Sequence, residues 1–194
     1  MNFIPFPILY TDRLQLRQLE IEDNAAILQL RSDENVNRFI DRKQMESIEE
    51  ADVFIEKIYD SIEENKCLYW AISFKTQKKL IGTICLWNID LEKNEVEIGY
   101  ELKPEFQGKG IMDEALKQVL AFAFNTLGFV AVVAFTHRIN FNSSRLLLNN
   151  NFILQIVNPK VKSTESNKSA ELTDIGNVED PYQIFRCNKQ VVSS

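Results

Sequence analysis

The chain has 194 residues, with 22 Lys and Arg against 28 Asp and Glu, and is 45% hydrophobic and 10% aromatic. That much apolar surface can offset the entropy of ordering a core, which excludes a disordered chain, and the length suits one domain better than two. The net charge of −6 gives no global attraction to phosphate backbones or anionic lipid, so neither nucleic acid nor a membrane surface is an expected partner.

Arg13 to Arg17 alternates polar and apolar residues, which predicts a strand with Leu14 and Leu16 turned inward. A polar turn from Glu22 to Asn24 leads to Ala26, Ile27 and Leu30, whose spacing predicts a short helix. Ser47 and Glu50 have the Ser-x-x-Glu spacing of a capping box. Ser47 is therefore expected to cap a helix running to about Glu64, with Ile48, Ala51, Ile55, Ile58, Tyr59 and Ile62 as its apolar stripe. From Cys67 the period becomes two. Leu68, Trp70, Ile72 and Phe74 alternate, Thr76 to Lys79 turns, Leu80 to Trp87 returns, Asp90 to Asn94 turns again, and Glu95 to Leu102 alternates. Three successive strands with short turns predict an antiparallel meander.

Lys103-Pro104-Glu105-Phe106-Gln107-Gly108-Lys109-Gly110 breaks the strand. Apolar residues then recur at helical spacing from Ile111 through Met112, Ala115, Leu116, Val119, Leu120, Ala123 and Phe124, with a glycine stop at Leu127-Gly128. Phe129 to Thr136 is almost wholly apolar, as expected of a strand covered on both faces. Asn140 to Asn150 reads as a helix with Leu146, Leu147 and Leu148 on its buried side, and Phe152 to Val157 and Tyr182 to Cys187 read as strands. Between them Asn158 to Asp180 is polar and longer than the ~12–15 residues usual for a structureless connection, which makes it mobile or functional. The prediction is a single α+β domain over 1–194. It has a core of about 11–157, a long polar loop 158–180, a final strand 182–187, and a mixed, mostly antiparallel central sheet flanked by helices.

Cys67, Cys85 and Cys187 are odd in number and far apart, which predicts buried reduced thiols and neither a metal site nor a disulfide framework. The opening MNFIPFPILYTD lacks a basic n-region and carries Pro5 and Pro7, so it does not read as a signal peptide. The longest apolar run, Phe129 to Phe135, falls far short of the ~20 residues needed to cross a bilayer. A cytoplasmic protein is expected.

A strand, a glycine-bearing turn and a helix place several backbone N–H groups at the positive end of a helix dipole, where an anion can be bound without a cationic side chain. The sequence offers this at Gln107, Gly108, Lys109, Gly110, Ile111 and Met112, with Gly108 and Gly110 allowing close approach and Lys109 at the rim. The Walker spacing is absent. The dinucleotide Gly-x-Gly-x-x-Gly fails too, because its third glycine would fall on Asp113, whose carboxylate would oppose a pyrophosphate. A plain connecting turn is the bland alternative.

Gln107-x-x-Gly110-x-Met112 resembles the Gln/Arg-x-x-Gly-x-Gly/Ala pyrophosphate loop of the GNAT superfamily of acyl-CoA-dependent N-acetyltransferases. The resemblance extends over roughly Thr11 to Phe152. It includes Thr11-x-Arg13-Leu14-x-Leu16-Arg17, Glu97-Ile98-Gly99-Tyr100 on the preceding strand, and Asn140-x-x-Ser143 leading to Asn151-Phe152. Together these are similar to the branch of ribosomal-protein N-terminal acetyltransferases of the RimJ/RimL type. Met112 stands where the family has Gly or Ala, which narrows the space beside the pyrophosphate. Asn151 replaces the glycine of a Gly-Phe pair and suits the same left-handed helix stop.

The resemblance implies acetyl-CoA as co-substrate and direct acetyl transfer to a primary amine, either a protein N-terminus or a small molecule, by a monomer or homodimer. It implies that the backbone of Gly99, Tyr100, Glu101 and Leu102 pairs with the pantetheine arm and supplies an oxyanion donor. Ser143 matches the residue that contacts the cofactor sulfur and protonates it, and Asn140 one that contacts the pantetheine. As residues, both are also ordinary helix caps. Glu97 is the candidate general base, which requires burial to raise its pKa, and Glu95 or Glu101 share its face and could serve instead. Tyr100 reads as packing on the opposite face, and His137 as a loop or core residue. The alternatives are a catalytically inactive acyl-CoA-binding module of the same fold and, less well supported, a nucleotide-binding protein.

Overall fold

The computed structural model describes residues 2–155 and 181–190. In chain order its strands and helices are β1 (Leu9–Tyr10), β2 (Leu14–Gln18), α1 (Asn24–Ser32), α2 (Glu34–Asn37), α3 (Ile48–Glu63), β3 (Leu68–Phe74), β4 (Gln77–Asp90), β5 (Glu95–Leu102), α4 (Ile111–Asn125), β6 (Ala131–His137), α5 (Phe141–Asn149), β7 (Ile153–Leu154) and β8 (Tyr182–Asn188). The stretch 158–180 lies outside the described residues, as do the last residues assigned to the strand predicted to run to Val157. Among the described residues no helix is long and apolar enough to cross a membrane.

One eight-stranded sheet, in the order β1-β2-β3-β4-β5-β6-β8-β7, forms the centre. The expected meander is β3-β4-β5, antiparallel throughout. Only β5 and β6 run parallel, because α4 carries the chain back to the end at which β5 began. Strand alternation then sorts the side chains. Leu14, Leu16, Trp70, Ile84, Ile98 and Tyr100 share one face through the register pairs Leu16 with Ile72 and Ile84 with Tyr100. Leu14 and Leu16 are buried as expected, and each buried leucine contributes about 1.5–3 kcal/mol. On that face Trp70 meets Phe122 of α4 edge-on, with ring centres 6.0 Å apart. The opposite face carries Tyr69, Cys85, Glu97, Gly99 and Glu101, and α3 packs there through Phe54 on Tyr69, 5.6 Å apart.

The predicted cap holds, with a variation. Ser47 Oγ accepts the Glu50 N–H at 3.3 Å, while the Glu50 carboxylate accepts from Glu46 N–H at 2.7 Å, one residue further back than a closed box requires. Three expectations shift. Gln77 to Lys79 already belongs to β4, the strand predicted from Phe129 starts at Ala131, and Leu148 is 55% exposed although its neighbour Leu147 is fully buried. The last shift follows from the 3.6-residue period, since consecutive residues cannot all face one core. Asn151 has φ 62°, and the amides of Asn151 and Phe152 return to Leu148 and Leu147. This is the left-handed stop its position predicts.

Candidate active site

β5 and β6 pair through three positions only, Glu95 with Ala131, Val96 with Val132 and Glu97 with Val133. β5 continues beside β4 to Leu102 and β6 beside β8 to His137, so beyond Glu97 the two strands part. Lys103 gives its N–H to the Ile81 carbonyl of β4 at 3.0 Å. Because backbone groups alternate along a strand, those of Tyr100 and Leu102 turn toward the gap and those of Gly99 and Glu101 toward β4. The Leu102 carbonyl receives the Gln107 side-chain amide at 2.9 Å, which ties the glycine turn to the end of this open edge.

Gly108 and Gly110 both have left-handed backbones, with φ 70° and 69°, conformations that cost any side-chain-bearing residue about 1 kcal/mol or more. At the start of α4 the first hydrogen bond runs from Glu114 N–H to the Gly110 carbonyl, at 3.1 Å. The amides from Gly108 to Asp113 therefore have no partner among the described residues. Met112 is 8% exposed and belongs to the hydrophobic core. Its side chain is packed among the core residues.

Two acids sit in this first helical turn, where they would repel an anion, and both are engaged. Asp113 meets Lys117 Nζ at 2.7 Å and Asn150 Nδ2 at 2.8 Å, and the lysine foremost holds its carboxyl below the usual range. Glu114 accepts from Thr11 Oγ1, from Arg13 N–H at 2.9 Å and from Arg13 Nε at 2.6 Å. Burial opposes ionisation there, but these hydrogen bonds outweigh it and hold the Glu114 carboxyl low. The opening Thr-x-Arg motif thus anchors α4 and neutralises a carboxylate beside the free amides.

Across the gap, Tyr100 Oη lies 2.8 Å from Ser143 Oγ. Asn140 caps α5, its Oδ1 accepting from Ser143 N–H at 3.2 Å. Capping thus falls to Asn140, and the Ser143 hydroxyl remains available to Tyr100. Burial foremost pushes the Tyr100 phenol up to about 12, with the Ser143 hydrogen bond opposing it. Sequence reasoning gave Tyr100 a packing role and missed this contact, because alternation tells the face of a side chain and not the reach of its hydroxyl.

The three carboxylates on the other face of β5 separate sharply. Glu95 is paired with Arg186 at 2.7 Å. Glu101 takes both ends of the Arg42 guanidinium, Nη2 to Oε2 at 2.9 Å, and Arg31 Nη1 at 3.3 Å. Glu97 has no cationic partner among the described residues, only a hydrogen bond from Asn88 Nδ2 at 2.9 Å. Its half-buried position raises its pKa, against that hydrogen bond. His137 closes the strand end, between the rings of Phe39 at 5.8 Å and Tyr182 at 5.6 Å. The cysteines are free, Cys67 and Cys187 buried and Cys85 partly so.

A mixed sheet parting at its one parallel pair, next to a helix start with free amides, is the architecture of an acyl-CoA-dependent N-acetyltransferase. The chain matches the acetyltransferase (GNAT) domain over residues 13–153 and belongs to that family. It is 37% identical over 147 residues to the uncharacterized N-acetyltransferase YoaA of Bacillus subtilis (strain 168), covering 76% of this chain and 83% of the relative. Among solved structures it is similar in fold to RimL, a ribosomal alpha-N-protein acetyltransferase, in complex with coenzyme A. The TM-score there is 0.75 at 18% identity, covering 94% of this chain and 98% of the other. It is likewise similar to the microcin C7 self-immunity acetyltransferase MccE in complex with acetyl-CoA and AMP, with a TM-score of 0.70 at 21% identity, covering 92% and 93%. The chain is an acyl-CoA-dependent N-acetyltransferase of this family, and the inactive-module alternative is not favoured.

Proposed function

We propose that the protein transfers acetyl directly from acetyl-CoA to a primary amine, with both substrates bound in the gap between β5 and β6. The observation that carries this reading is the open β5 edge running straight into a turn whose amides have no partner among the described residues. Gly108, Lys109, Gly110, Ile111 and Met112 would hold the pyrophosphate with main-chain N–H groups at the positive helix end. The backbone of Tyr100 and Leu102 would pair with the pantetheine arm as an added strand does, with Gly99 and Glu101 completing that strand and Gln107 and Asn140 shaping its ends. Acetyl-CoA supplies an activated acyl thioester, and the rest of the chemistry falls to this chain.

Glu97, on the face opposite Tyr100 and without a cationic partner among the described residues, takes the proton of the incoming amine, directly or through one water. Its raised pKa makes it a better base than an exposed carboxylate. A main-chain N–H of the open edge, at Tyr100 or Leu102, would stabilise charge on the acyl oxygen. Ser143 gives its proton to the departing sulfur and takes one back through Tyr100, whose hydroxyl donates to Ser143 in that arrangement and recovers its own proton from water as the products leave. Acid–base steps of this kind contribute about 10²–10⁴-fold each.

The test is release of free thiol from acetyl-CoA in the presence of a panel of peptides and small amines, with coenzyme binding followed by calorimetry. Amine-dependent thiol release is expected, together with its loss in Glu97→Gln while the coenzyme still binds. Binding without transfer to any amine would favour the inactive module, and no binding at millimolar coenzyme would remove the reading altogether.

A further inference from the structure

The face of the sheet that carries Glu97 limits which amine it can accept. The chain as a whole is acidic, with net charge −6, yet this face is not. Glu95 is matched by Arg186, and Glu101 is shared by Arg31 and Arg42, a cluster with one excess positive charge. Arg31 is further held over the Phe54 ring, 4.2 Å from its centre. Glu97 is thus the one acid of the three left for a substrate cation. A second ammonium on the same molecule would find no further unpaired acid among these three, and toward Glu101 it would meet guanidinium groups instead.

Beside Glu97 and its Asn88 partner, this face carries exposed aromatic rings. Trp87 is its register partner on β4 and is 43% exposed. The indole Nε1 lies 3.7 Å from the point a Cβ on Gly99 would occupy, and Cys85 Sγ 3.2 Å from the same point, so the missing side chain at Gly99 leaves the ring leaning over the strand where the gap opens. Phe135, 41% exposed, stands on the same face of β6, two residues beyond the Glu97 partner Val133. An aromatic surface this exposed beside a lone carboxylate matches a ligand with one charge and an apolar body.

We propose that the acceptor is a primary amine whose only positive charge is the reacting nitrogen and which carries an apolar group next to it, seated between Glu97 and Trp87. This rests on the acetyltransferase reading and narrows it. A chain terminus with an apolar first residue and a free apolar monoamine share this chemistry. The test compares kcat/KM on the intact protein, with saturating acetyl-CoA, for 2-phenylethylamine, a short peptide beginning with phenylalanine and otherwise uncharged, and spermidine. At least one of the first two is expected to exceed spermidine by roughly tenfold or more, and Trp87→Ala to narrow that ratio by about tenfold, the loss expected for one buried apolar group. Preference for the peptide assigns the source to a chain terminus and preference for phenylethylamine to a small molecule, and either supports the proposal. Spermidine used as well as or better than both overturns it and leaves the acetyltransferase reading intact, whether or not the Trp87 variant folds. A Trp87→Ala variant that folds and slows every acceptor equally also overturns it. Absence of thiol release with every amine, together with absence of coenzyme binding, removes the underlying reading as well.

Discussion

The Tyr100 and Ser143 hydroxyls meet at 2.8 Å and join β5 to α5 beside the opening in which the thioester is proposed to lie. A serine at the start of a helix would ordinarily spend its hydroxyl on capping. Here Asn140 caps, and Ser143 is held by a phenol that stays neutral throughout the working range. If the two act as one proton path, Ser143→Ala lowers kcat by about 10–100-fold and Tyr100→Phe by a smaller factor, within the range of general acid catalysis. The double variant should be no slower than Ser143→Ala alone, since the second change removes a link already broken. Additive losses in single-turnover rates would show that the two hydroxyls act independently.

As the proposed base, Glu97 links activity and stability with opposite signs. Burial raises its pKa in the folded chain above the unfolded value, so the folded state holds the proton more tightly. Its effect on folding is therefore most favourable below the unfolded pKa and becomes a penalty as pH rises through the folded one. Glu97→Gln should melt at or above the wild-type temperature at pH 7 while losing about 10²-fold or more in kcat. The acid limb of the wild-type pH–rate profile, where kcat/KM falls as pH drops through the raised pKa, should vanish in the variant. A variant that melts well below wild type and keeps its activity would place the base elsewhere.

Arg13 reaches the proposed coenzyme site through Glu114. Its Nε lies 2.6 Å from the carboxylate, and Nη1 reaches the Lys109 carbonyl at 3.3 Å. Arg13→Ala leaves an unneutralised carboxylate in the first turn of α4, beside the free amides. The KM for acetyl-CoA should rise about 3–10-fold in dilute buffer, with kcat little changed, an effect of roughly 1 kcal/mol. Raising the salt to about 0.5 M should shrink the difference, because the contact is half exposed and screened. Equal KM values at low salt would show that Glu114 does not act on the ligand.

Arg17 and Asp23 form a buried, two-pronged pair at 2.7 and 2.8 Å that fixes the end of β2 to the turn before α1. The Asp23 carboxylate also accepts the Glu20 N–H at 2.9 Å. Asp23→Ala strands a buried guanidinium, so unfolding in urea should show a loss of about 3–5 kcal/mol. A loss under 1 kcal/mol would mean that water enters and solvates the arginine.

The strands, the long helices and the glycine turn were legible from the sequence because each has a local cause: alternation in Glu95 to Leu102, the Ser47 cap, φ-permissive glycines at 108 and 110. The relations that make the site were not. Nothing local says that β5 and β6 pair through only three residues, since that depends on α4 bringing a distant strand alongside. Which of Glu95, Glu97 and Glu101 is left unpaired was equally hidden, because the deciding arginines, Arg186, Arg42 and Arg31, come from remote parts of the chain. The same holds for Met112, whose place in the core depends on the rotation of α4 against the sheet. The Thr11 and Arg13 motif carried a signal, but its meaning appears only once Glu114 lies above it.

In the proposed complex the amides after Leu102 and the open β5 edge receive the coenzyme. Titrating ¹⁵N-labelled protein with coenzyme A and following each amide resonance tests it residue by residue. The largest shifts are expected at Gly108 to Asp113, at Tyr100 and Leu102, and at Ser143. Shifts confined to the open surface around Arg17, Lys75 and Lys78, with the glycine turn unmoved, would contradict it.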